Sequence, residues 1–418
     1  MRRGARPTRA GRIVSKSPPS FAPVAAVALL LMLAACARPA PAPSPPLAPR
    51  LRVAASFDYA PFSRATESGA YEGLDVVVMT RLAADLGLQL AWTRLAWPEL
   101  TDATAAARFD VAVGGVTMRG ERALVGRYTR PYAVTAAIPV VPRAHATRYP
   151  SLRALDRPAV RLGVNAGGHL QRVAQRRFPR AALRPIADNR IFAALEAEQV
   201  DALVTDTAEL YAHHSPRPLV ALTPLTHDHK AYLLPVERGP LAARIDAWLR
   251  EREADGWLPA QRARFLGTAA AMDAATAARE AVAALVRLRL DLMPDVAAAK
   301  RVAGVPLEDR AQEARVLERV GAAVPSAPMR AAAVYAELIE MAKALQRAAP
   351  ATAAAGPSLD ALRAALGRID EVLCAELERL PIASAAAWRE TLATTLAGLA
   401  VAPGALDRLA ATLARPPA

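Results

Sequence analysis

The segment 108–132, RFDVAVGGVTMRGERALVGRYTRPY, contains the pattern that decides the fold of the first half of this chain. Its run FDVAVGGV is short and rich in valine, which is typical of a buried β-strand. Similar runs elsewhere are LRVAAS, AAIPVVP, VRLGVN, DALVTD and KAYLLPV. Helical patterns lie between the runs, at 76–86, 167–177 and 191–199. This alternation predicts an α/β domain with largely parallel sheets over residues 51–268.

Residues 272–418 follow a different pattern, in which apolar residues recur at helical spacing. The clearest segments are AVAALVRLRLDL, RAAAVYAELIEMAKALQ, LDALRAALGRIDEVLCAEL and WRETLATTLAGLA. Short breaks containing proline or glycine separate these segments, and none of the runs is a convincing strand. Aromatic residues make up only 5% of the 418-residue chain, so alanine and leucine supply most of the core. The second half is therefore predicted to be an all-α domain.

The first 35 residues have the layout of an export signal. A basic, acid-free start leads into the apolar run APVAAVALLLMLAA, which is short for a membrane span. The sequence LAAC at 33–36 resembles a bacterial lipobox, which implies that Cys36 is lipidated; ordinary signal-peptidase cleavage near the alanines is the alternative. The proline- and alanine-rich residues 36–50 suit a stiff tether. We therefore expect an exported or periplasmic protein, with a membrane anchor if Cys36 is lipidated.

The positive charge of the chain favours small anionic ligands. The formal net charge is +14, but six of the cations lie in residues 1–35. The remainder form no dense basic stripe, which argues against nucleic acid as a partner and favours anionic small molecules. The second cysteine, Cys374, has no partner if Cys36 is lipidated, so no intramolecular disulfide is expected.

An ordered series of motifs through residues 51–266 resembles the periplasmic amino-acid binding proteins. The motifs are SFDYAPFS, YEGLDVVVMTRLAADLG, RFDVAVGGVTMRGERALVGRYTRPY, LGVNAGGHLQR and DALVTDTAEL. The resemblance implies two α/β lobes joined by two strand-like hinges, with the ligand in the cleft. Chain order assigns 51–140 and about 232–266 to one lobe, and about 141–231 to the other. The arginine of the family motif T-x-x-x-E-R maps to Arg122, near Thr117, and its guanidinium suits a bidentate contact to a ligand carboxylate.

Four further motifs, WPEL, NAGG, TDTAE and KAYLLP, resemble cyclohexadienyl dehydratase, an enzyme built on the binding-protein scaffold. Its substrates are prephenate and arogenate, which lose CO₂ and the ring hydroxyl as the ring becomes aromatic. The protein must supply a proton for the departing hydroxyl and cations for the carboxylates. The resemblance places the general acid at Glu209, because a carboxylic acid kept protonated in an enclosed cleft can supply that proton. Lys230 either stabilises the substrate carboxylate or leaving hydroxyl, or caps a hinge strand.

The resemblance implies further substrate contacts in the cleft. These positions are Asp58, Trp97, Asn165, Gly167, Gly168 and His169. The dehydratases have GGTN where this chain has Gly167-Gly168-His169-Leu170. The backbone of the two glycines can still hold an anion, but the asparagine amide is absent. Either His169 replaces it as a hydrogen-bond donor, or the substrate specificity has shifted.

The helical half combines cations on helices with nearby acids and amides, and it contains no histidine. This inventory suits catalysis by electrostatics and shape. The spacing R-x10-K-x8-D-x3-E, a later helix ending in glutamine, and LRxxLxxIDxxL resemble the all-helical chorismate mutases, the secreted subclass in particular. The family's site positions fall on Arg289, Lys300, Asp309, Glu313, Gln346 and Arg363.

The mutase resemblance implies a role for each position in the rearrangement of chorismate to prephenate. Arg289 and Arg363 would bind the two carboxylates, and Lys300 and Gln346 would donate to the ether oxygen of the breaking C–O bond. The acceptor for the ring hydroxyl would be Asp309 or Glu313.

Three positions depart from the mutase pattern. Gln312 stands where the family usually has an arginine, and Arg310 or Arg315 is expected to replace that cation. Ala342 replaces a hydroxyl residue, and Lys343 is expected to be an ordinary exposed lysine. Since the amide of Gln346 needs no proton, mutase activity should be nearly flat across neutral pH.

The two resemblances support each other, because a mutase makes prephenate and a dehydratase consumes it. Together they predict an exported bifunctional enzyme that needs no cofactor or metal. It would convert chorismate through prephenate to phenylpyruvate, and arogenate to phenylalanine. The alternative is an amino-acid-binding or sensing lipoprotein fused to a mutase or to a helical dimerisation module. Relatives of both halves self-associate, so a homo-oligomer is expected.

Overall fold

The computed structural model describes residues 50–187, 189–350 and 356–416. The predicted export signal at 1–35, Cys36 and almost all of the tether lie outside the described residues. The described part belongs to one compact unit, Leu47–Ala418. Among the described helices, none combines the length and the apolar character needed to cross a membrane.

Short strands and helices alternate through the first half, as the sequence predicts. The strands are β1 (Arg50–Ala55), β2 (Asp58–Tyr59), β3 (Ser63–Ala65), β4 (Tyr71–Glu72), β5 (Gln89–Arg94), β6 (Val111–Ala112), β7 (Gly126–Tyr128), β8 (Ala133–Thr135), β9 (Ala137–Pro142), β10 (Arg161–Asn165), β11 (Ala182–Ile186), β12 (Ala202–Asp206), β13 (Leu219–Ala221), β14 (Asp228–Lys230) and β15 (Leu233–Pro235). The helices of this half are α1 (Leu74–Asp85), α2 (Leu100–Ala105), α3 (Gly120–Ala123), α4 (Leu152–Leu155), α5 (His169–Arg177), α6 (Ile191–Glu196), α7 (Thr207–Ala212), α8 (Gly239–Ala254) and α9 (Trp257–Leu266). Each predicted strand run contains an observed strand.

Two five-stranded sheets form the cores of two lobes. The first has the strand order β5-β1-β6-β15-β7, and the second has the order β11-β10-β12-β9-β13. In each sheet three adjacent strands run parallel, while β15 in the first and β9 in the second are antiparallel to both neighbours. The sheets are therefore more mixed than predicted, because the strand that follows each crossing between the lobes, β9 in one case and β15 in the other, runs antiparallel to its neighbours.

The hinge is a two-stranded antiparallel ribbon of β8 and β14, in which Asp228 pairs with Thr135 and Lys230 with Ala133. This confirms the predicted pair of strand-like hinges. The boundary of the first lobe at residue 140 is wrong by a few residues. The strand Ala137–Pro142 pairs with β12 and β13, so it already belongs to the second lobe.

The second half consists of helices, in agreement with its apolar spacing. They are α10 (Ala274–Asp291), α11 (Met293–Val302), α12 (Arg310–Ala323), α13 (Pro328–Ala348), α14 (Leu359–Glu378), α15 (Ala385–Thr395) and α16 (Pro403–Leu413). Pro294 lies in the first turn of α11, where its missing N–H has no partner to lose, so a new helix begins there. Along α14 the buried apolar residues recur every three or four positions, as an amphipathic helix requires.

The helical domain packs against the first lobe. A narrow cavity between them is lined by α3, β7, α10 and α14 residues, including Tyr128 and Leu288. Arg368 of α14 donates to the carbonyl oxygens of Ala123 and Leu124 at 2.8 and 3.1 Å. These contacts place the first-lobe sheet and the mutase-like helices in one continuous core.

Candidate active sites

A cleft of about 430 Å³ lies between the two lobes. Seven predicted site residues line it: Trp97, Thr117, Arg122, Asn165, Gly168, His169 and Lys230. Tyr59, Gly115 and Asn189, which were not predicted as site residues, also line it. Tyr59 lies within the quoted motif SFDYAPFS, so that motif carried a usable signal.

Glu209 is not itself among the residues that line the cleft; it lies directly beside Asn165, which does line it, and is only 6% exposed. It is the third residue of α7, whose N-cap is Asp206, and the two side chains form a capping box. Its carboxyl accepts from the Asn165 amide at 3.1 and 3.2 Å and from the Thr205 hydroxyl at 2.8 Å. Burial and the charge of Asp206 raise the pKa of Glu209 to about 7, although the hydrogen bonds from Thr205 and Asn165 oppose the rise. A large fraction of Glu209 is therefore protonated at neutral pH, as a general acid must be.

Lys230 bridges the two lobes at the base of the cleft. Its side chain is almost fully buried, and Nζ lies 3.0 Å from Oδ2 of Asp206 and donates to Oγ1 of Thr117 at 2.9 Å. It ends the hinge strand β14 and also lines the cleft. Lys230 therefore combines the two positions considered from the sequence: it belongs to the hinge strand, and it lines the cleft.

Arg122 is buried in the cleft wall, 5% exposed. Its Nη1 donates to the carbonyl of Thr117 at 3.0 Å, while its Nε has no hydrogen-bond partner among the described residues. Oδ1 of Asn165 is likewise buried without a partner among them. Buried polar atoms are normally hydrogen-bonded, so these atoms mark where a polar ligand would be held.

His169, at the position of the family's missing threonine, is held by a carboxylate. Its Nε2 lies 2.9 Å from Oδ2 of Asp228, which also accepts from the Thr226 hydroxyl at 2.8 Å. Burial alone would raise the pKa of Asp228, but His169, Lys230 and Thr226 lower it to about 2. The Asp228 carboxylate thus fixes the imidazole beside the cleft.

The two lobes touch each other across the cleft. Asn189 Nδ2 donates to the backbone oxygen of Asp58 at 2.7 Å, and Glu121 pairs with Arg172 of the opposite lobe. Gly167 has φ +75°, and a Cβ there would lie 2.7 Å from Cγ of Pro98, so only glycine allows this approach. Asp58 and Gly167, predicted to bind substrate, are not among the residues that line the cleft; they contact the other lobe instead.

In the helical domain, Arg289 is buried within a cluster of its own. Its Nε lies 3.1 Å from Oδ1 of Asp370, which also accepts from the Tyr335 hydroxyl at 2.9 Å. Arg319 reaches the other oxygen of Asp370 at 3.5 Å. Asp370, Tyr335 and Arg319 were not predicted as site residues. Asp370 was identifiable, because it is the aspartate of the motif LRxxLxxIDxxL.

Lys300 and Gln346 occupy neighbouring helices. Lys300 Nζ donates to the carbonyl of Leu307 at 2.6 Å. Burial lowers its pKa, and Arg363 lowers it further, while Asp309 and Glu313 oppose both effects. These charges therefore lie close to Lys300. Gln346 is 7% exposed, and its Oε1 has no partner among the described residues.

The remaining predicted positions of the helical site are engaged with protein groups. Arg363 is exposed and pairs with Asp360 at 3.2 Å. Gln312 accepts from Arg315 at 2.8 Å, so Arg315 does lie beside the missing cation position.

Asp309 is the N-cap of α12, and its carboxylate accepts from the backbone N–H of Gln312 at 2.9 Å. One expectation for this site is wrong. Lys343 was expected to be exposed, but its side chain is 13% exposed and pairs with Glu313 at 2.9 Å and with Glu340 at 2.8 Å. Helical spacing alone did not reveal the partner on α12.

The fold and cleft define a two-lobed ligand-binding protein, here joined to a bundle of mutase-like helices. The family description of bacterial extracellular solute-binding proteins, family 3, matches residues 51–268, just over half of the chain. The chain belongs to this family. The description of chorismate mutase type II matches residues 279–347, so the chain also carries a domain of that kind.

Several individual proteins are similar to this chain. A cyclohexadienyl dehydratase of Pseudomonas aeruginosa is 32% identical over 213 residues, which cover 50% of this chain and 79% of the relative. A solved binding component of an ABC transporter from Wolinella succinogenes, complexed with lysine, is 22% identical with a TM-score of 0.50, covers 53% of this chain and 97% of its own, and shares the fold. A solved ancestral amino acid-binding protein, described as a precursor of cyclohexadienyl dehydratase, is 25% identical with a TM-score of 0.49 and covers 52% of this chain and 95% of its own. The dehydratase homology and the mutase domain support both a lyase and an isomerase activity.

Proposed function

We propose that this protein is an exported bifunctional enzyme. Its helical domain would rearrange chorismate to prephenate, and its cleft would convert prephenate to phenylpyruvate and arogenate to phenylalanine. The observation that carries the dehydratase assignment is Glu209, a buried carboxyl with a pKa of about 7 that is hydrogen-bonded to Asn165 in the cleft wall. A simple amino-acid receptor has no need of such an acid.

Each group around the cleft has its own role in the dehydratase step. Arg122 binds the carboxylate that remains in the product, using its Nε–H, which has no hydrogen-bond partner among the described residues. Glu209 gives its proton to the ring hydroxyl, which departs as water. The ring carboxylate departs as CO₂, and its bonding electrons complete the aromatic ring. Lys230 offsets the negative charge of the bound substrate, and the closed lobes exclude water.

His169 provides the hydrogen-bond donor that the GGHL sequence otherwise lacks. Asp228 fixes its ring at 2.9 Å, and the ring lines the cleft beside Gly168. We propose that His169 contacts the polar side chain of the substrate, at the pyruvyl or alanyl group. A change at this residue should therefore alter the preference between prephenate and arogenate.

The mutase step relies on preorganised charge. Lys300 and Gln346 would donate to the ether oxygen, where negative charge develops in the transition state. Arg289 and Arg363 would bind the two carboxylates in place of Asp370 and Asp360, their present partners.

The ring hydroxyl of chorismate would donate to an acid of α12. Glu313 is better placed for this role than Asp309, because the Asp309 carboxylate caps the helix and already accepts from the backbone N–H of Gln312.

Export is proposed from two observations. The matching family consists of extracellular proteins, and residues 1–35 have the basic and apolar layout of a signal. Lipidation at Cys36 would then anchor the mature enzyme to a membrane.

The purified chain should be given chorismate, with chorismate loss and phenylpyruvate appearance followed together. The proposal expects both to occur without any added cofactor. No loss of chorismate would eliminate the mutase, and prephenate accumulating without phenylpyruvate would eliminate the dehydratase. Tight binding of an amino acid without turnover of prephenate would favour a receptor.

A further inference from the structure

Two histidines and a glutamate meet where the hinge of the binding domain touches the helical domain. His227 lies just before β14, His229 lies within it, and Glu280 lies on α10. Nε2 of His227 is 2.9 Å from Oε2 of Glu280, and Nε2 of His229 is 2.8 Å from the same oxygen. The side chain of His229 is 4% exposed and that of Glu280 13%. The cluster therefore joins the two domains in a largely buried place.

The three side chains present the atoms of a metal site. One ligand atom from each residue lies within 4.8 Å of the other two. Two imidazoles and one carboxylate are a common set for Zn²⁺, with a further position left for water. At metal–ligand distances of about 2.0–2.2 Å, tetrahedral ligands stand roughly 3.3 Å apart, so the two N···O contacts need to open by only about half an ångström. Both Nε2 atoms already approach the same oxygen of Glu280, and the two rings meet edge to face, with their planes at 79°.

We propose that His227, His229 and Glu280 bind one divalent first-row transition metal ion, with Zn²⁺ the best fit. Nitrogen ligands together with one carboxylate favour Zn²⁺ and its neighbours over Mg²⁺ or Ca²⁺. Neither proposed reaction uses this ion. It holds α10 of the helical domain to the hinge of the binding domain.

Because side chains alternate along the hinge strand, a metal bound at this site would also affect the cleft. In an extended strand successive side chains point to opposite sides. His227 and His229 reach Glu280. On the other side of the strand, towards the cleft, Asp228 contacts His169 and Lys230 contacts Asp206. A metal on one side would therefore fix the strand whose other side helps to build the cleft.

The test uses the full chain, without a histidine tag, after metals have been removed with a chelator. Co²⁺ is added while the visible absorption is followed, and Zn²⁺ binding is then measured by calorimetry. We expect one ion per chain, a Co²⁺ spectrum of low-coordinate type with nitrogen and oxygen ligands, and a higher Tm with Zn²⁺. The variants His229→Asn and Glu280→Gln should each weaken binding at least tenfold. Glu280→Gln retains size and hydrogen bonding, so its fold is expected to persist.

The matched control is the double variant His213→Asn and His214→Asn. These adjacent histidines lie in the second lobe, where His213 is 3.3 Å from Glu196, and their loss should leave binding unchanged. The proposal is overturned if the wild-type chain binds no ion. It is also overturned if Glu280→Gln and His229→Asn bind as the wild type does, or if the control loses as much affinity as they do. Binding is measured without substrate, so the result is independent of either proposed activity.

Discussion

The cleft and the helical site are prepared for catalysis in different ways. In the cleft, burial keeps Glu209 partly protonated, and Arg122 and Asn165 retain polar atoms without partners among the described residues. In the helical domain, Arg289 is already paired with Asp370, and the central donor, Gln346, is an uncharged amide. In the proposed mechanisms the cleft therefore depends on a proton, whereas the helical site would exchange internal ion pairs for substrate carboxylates.

Glu209→Gln should have the largest effect. Removing a general acid typically costs 10²–10⁴-fold, so we expect roughly a 10³-fold loss in kcat for purified prephenate. The amide keeps the contacts of the carboxyl but cannot give up the proton. Formation of phenylpyruvate is the measurement, and mutase activity should stay unchanged.

The matched control for that variant is Glu196→Gln, in the same lobe but beside His213 rather than the cleft. It should turn over prephenate at the wild-type rate. Full activity of Glu209→Gln would remove Glu209 from the mechanism.

Gln346→Ala should lower the mutase kcat by about 10²–10³-fold, the usual loss when one donor to developing charge is removed. Dehydratase activity should not change. Gln312→Ala is the comparison, and its effect should be much smaller because Gln312 accepts from Arg315. Equal losses for the two variants would contradict the assignment of Gln346 as the donor to the ether oxygen.

Arg122→Lys should raise the KM for prephenate about 10–100-fold while changing kcat less, since the lysine keeps the charge and loses the bidentate contact worth about 1.5–3 kcal/mol. Steady-state kinetics provide the check. Arg148→Lys, at a position outside the residues that line the cleft, is the control. An unchanged KM would show that the carboxylate is bound elsewhere.

The two activities should depend differently on pH, and this effect should be smaller than those of the substitutions above. Glu209 must be protonated to act, and its pKa is about 7, so dehydratase kcat/KM should be highest below pH 7. Above pH 7 it should fall towards tenfold per pH unit as the proton is lost. The mutase kcat/KM should remain nearly flat between about pH 6 and 8, because the amide of Gln346 does not titrate. A dehydratase rate that rises with pH, or a mutase rate that changes steeply with pH, would contradict the proposed difference between the two sites.

Much of the fold follows from local patterns in the sequence. The valine-rich run FDVAVGGV yields β6, and the apolar spacing of LDALRAALGRIDEVL yields α14, because burial of one face selects each element. The lobe boundary was misplaced because strand membership depends on pairing with β12, a partner distant in sequence.

Sequence motifs predicted only part of the two candidate sites. Glu209 and Arg122 came from family resemblance, and the Asp206 and Glu209 spacing is itself a readable capping box. The pairing of Lys343 with Glu313 and the meeting of His229 with Glu280 depend on packing between separate elements. The spacing of residues within a single helix or strand does not predict contacts of this kind.

The central claim is that one chain performs two successive reactions and that only the second needs the proton of Glu209. The most direct measurement gives chorismate to the Glu209→Gln chain at about pH 7.5, where the wild-type acid is still partly protonated, and follows all three compounds by NMR. The account predicts that chorismate disappears at the wild-type rate while prephenate accumulates in its place, with roughly 10³-fold less phenylpyruvate formed enzymatically. Phenylpyruvate appearing at the wild-type rate, or chorismate persisting, would contradict it.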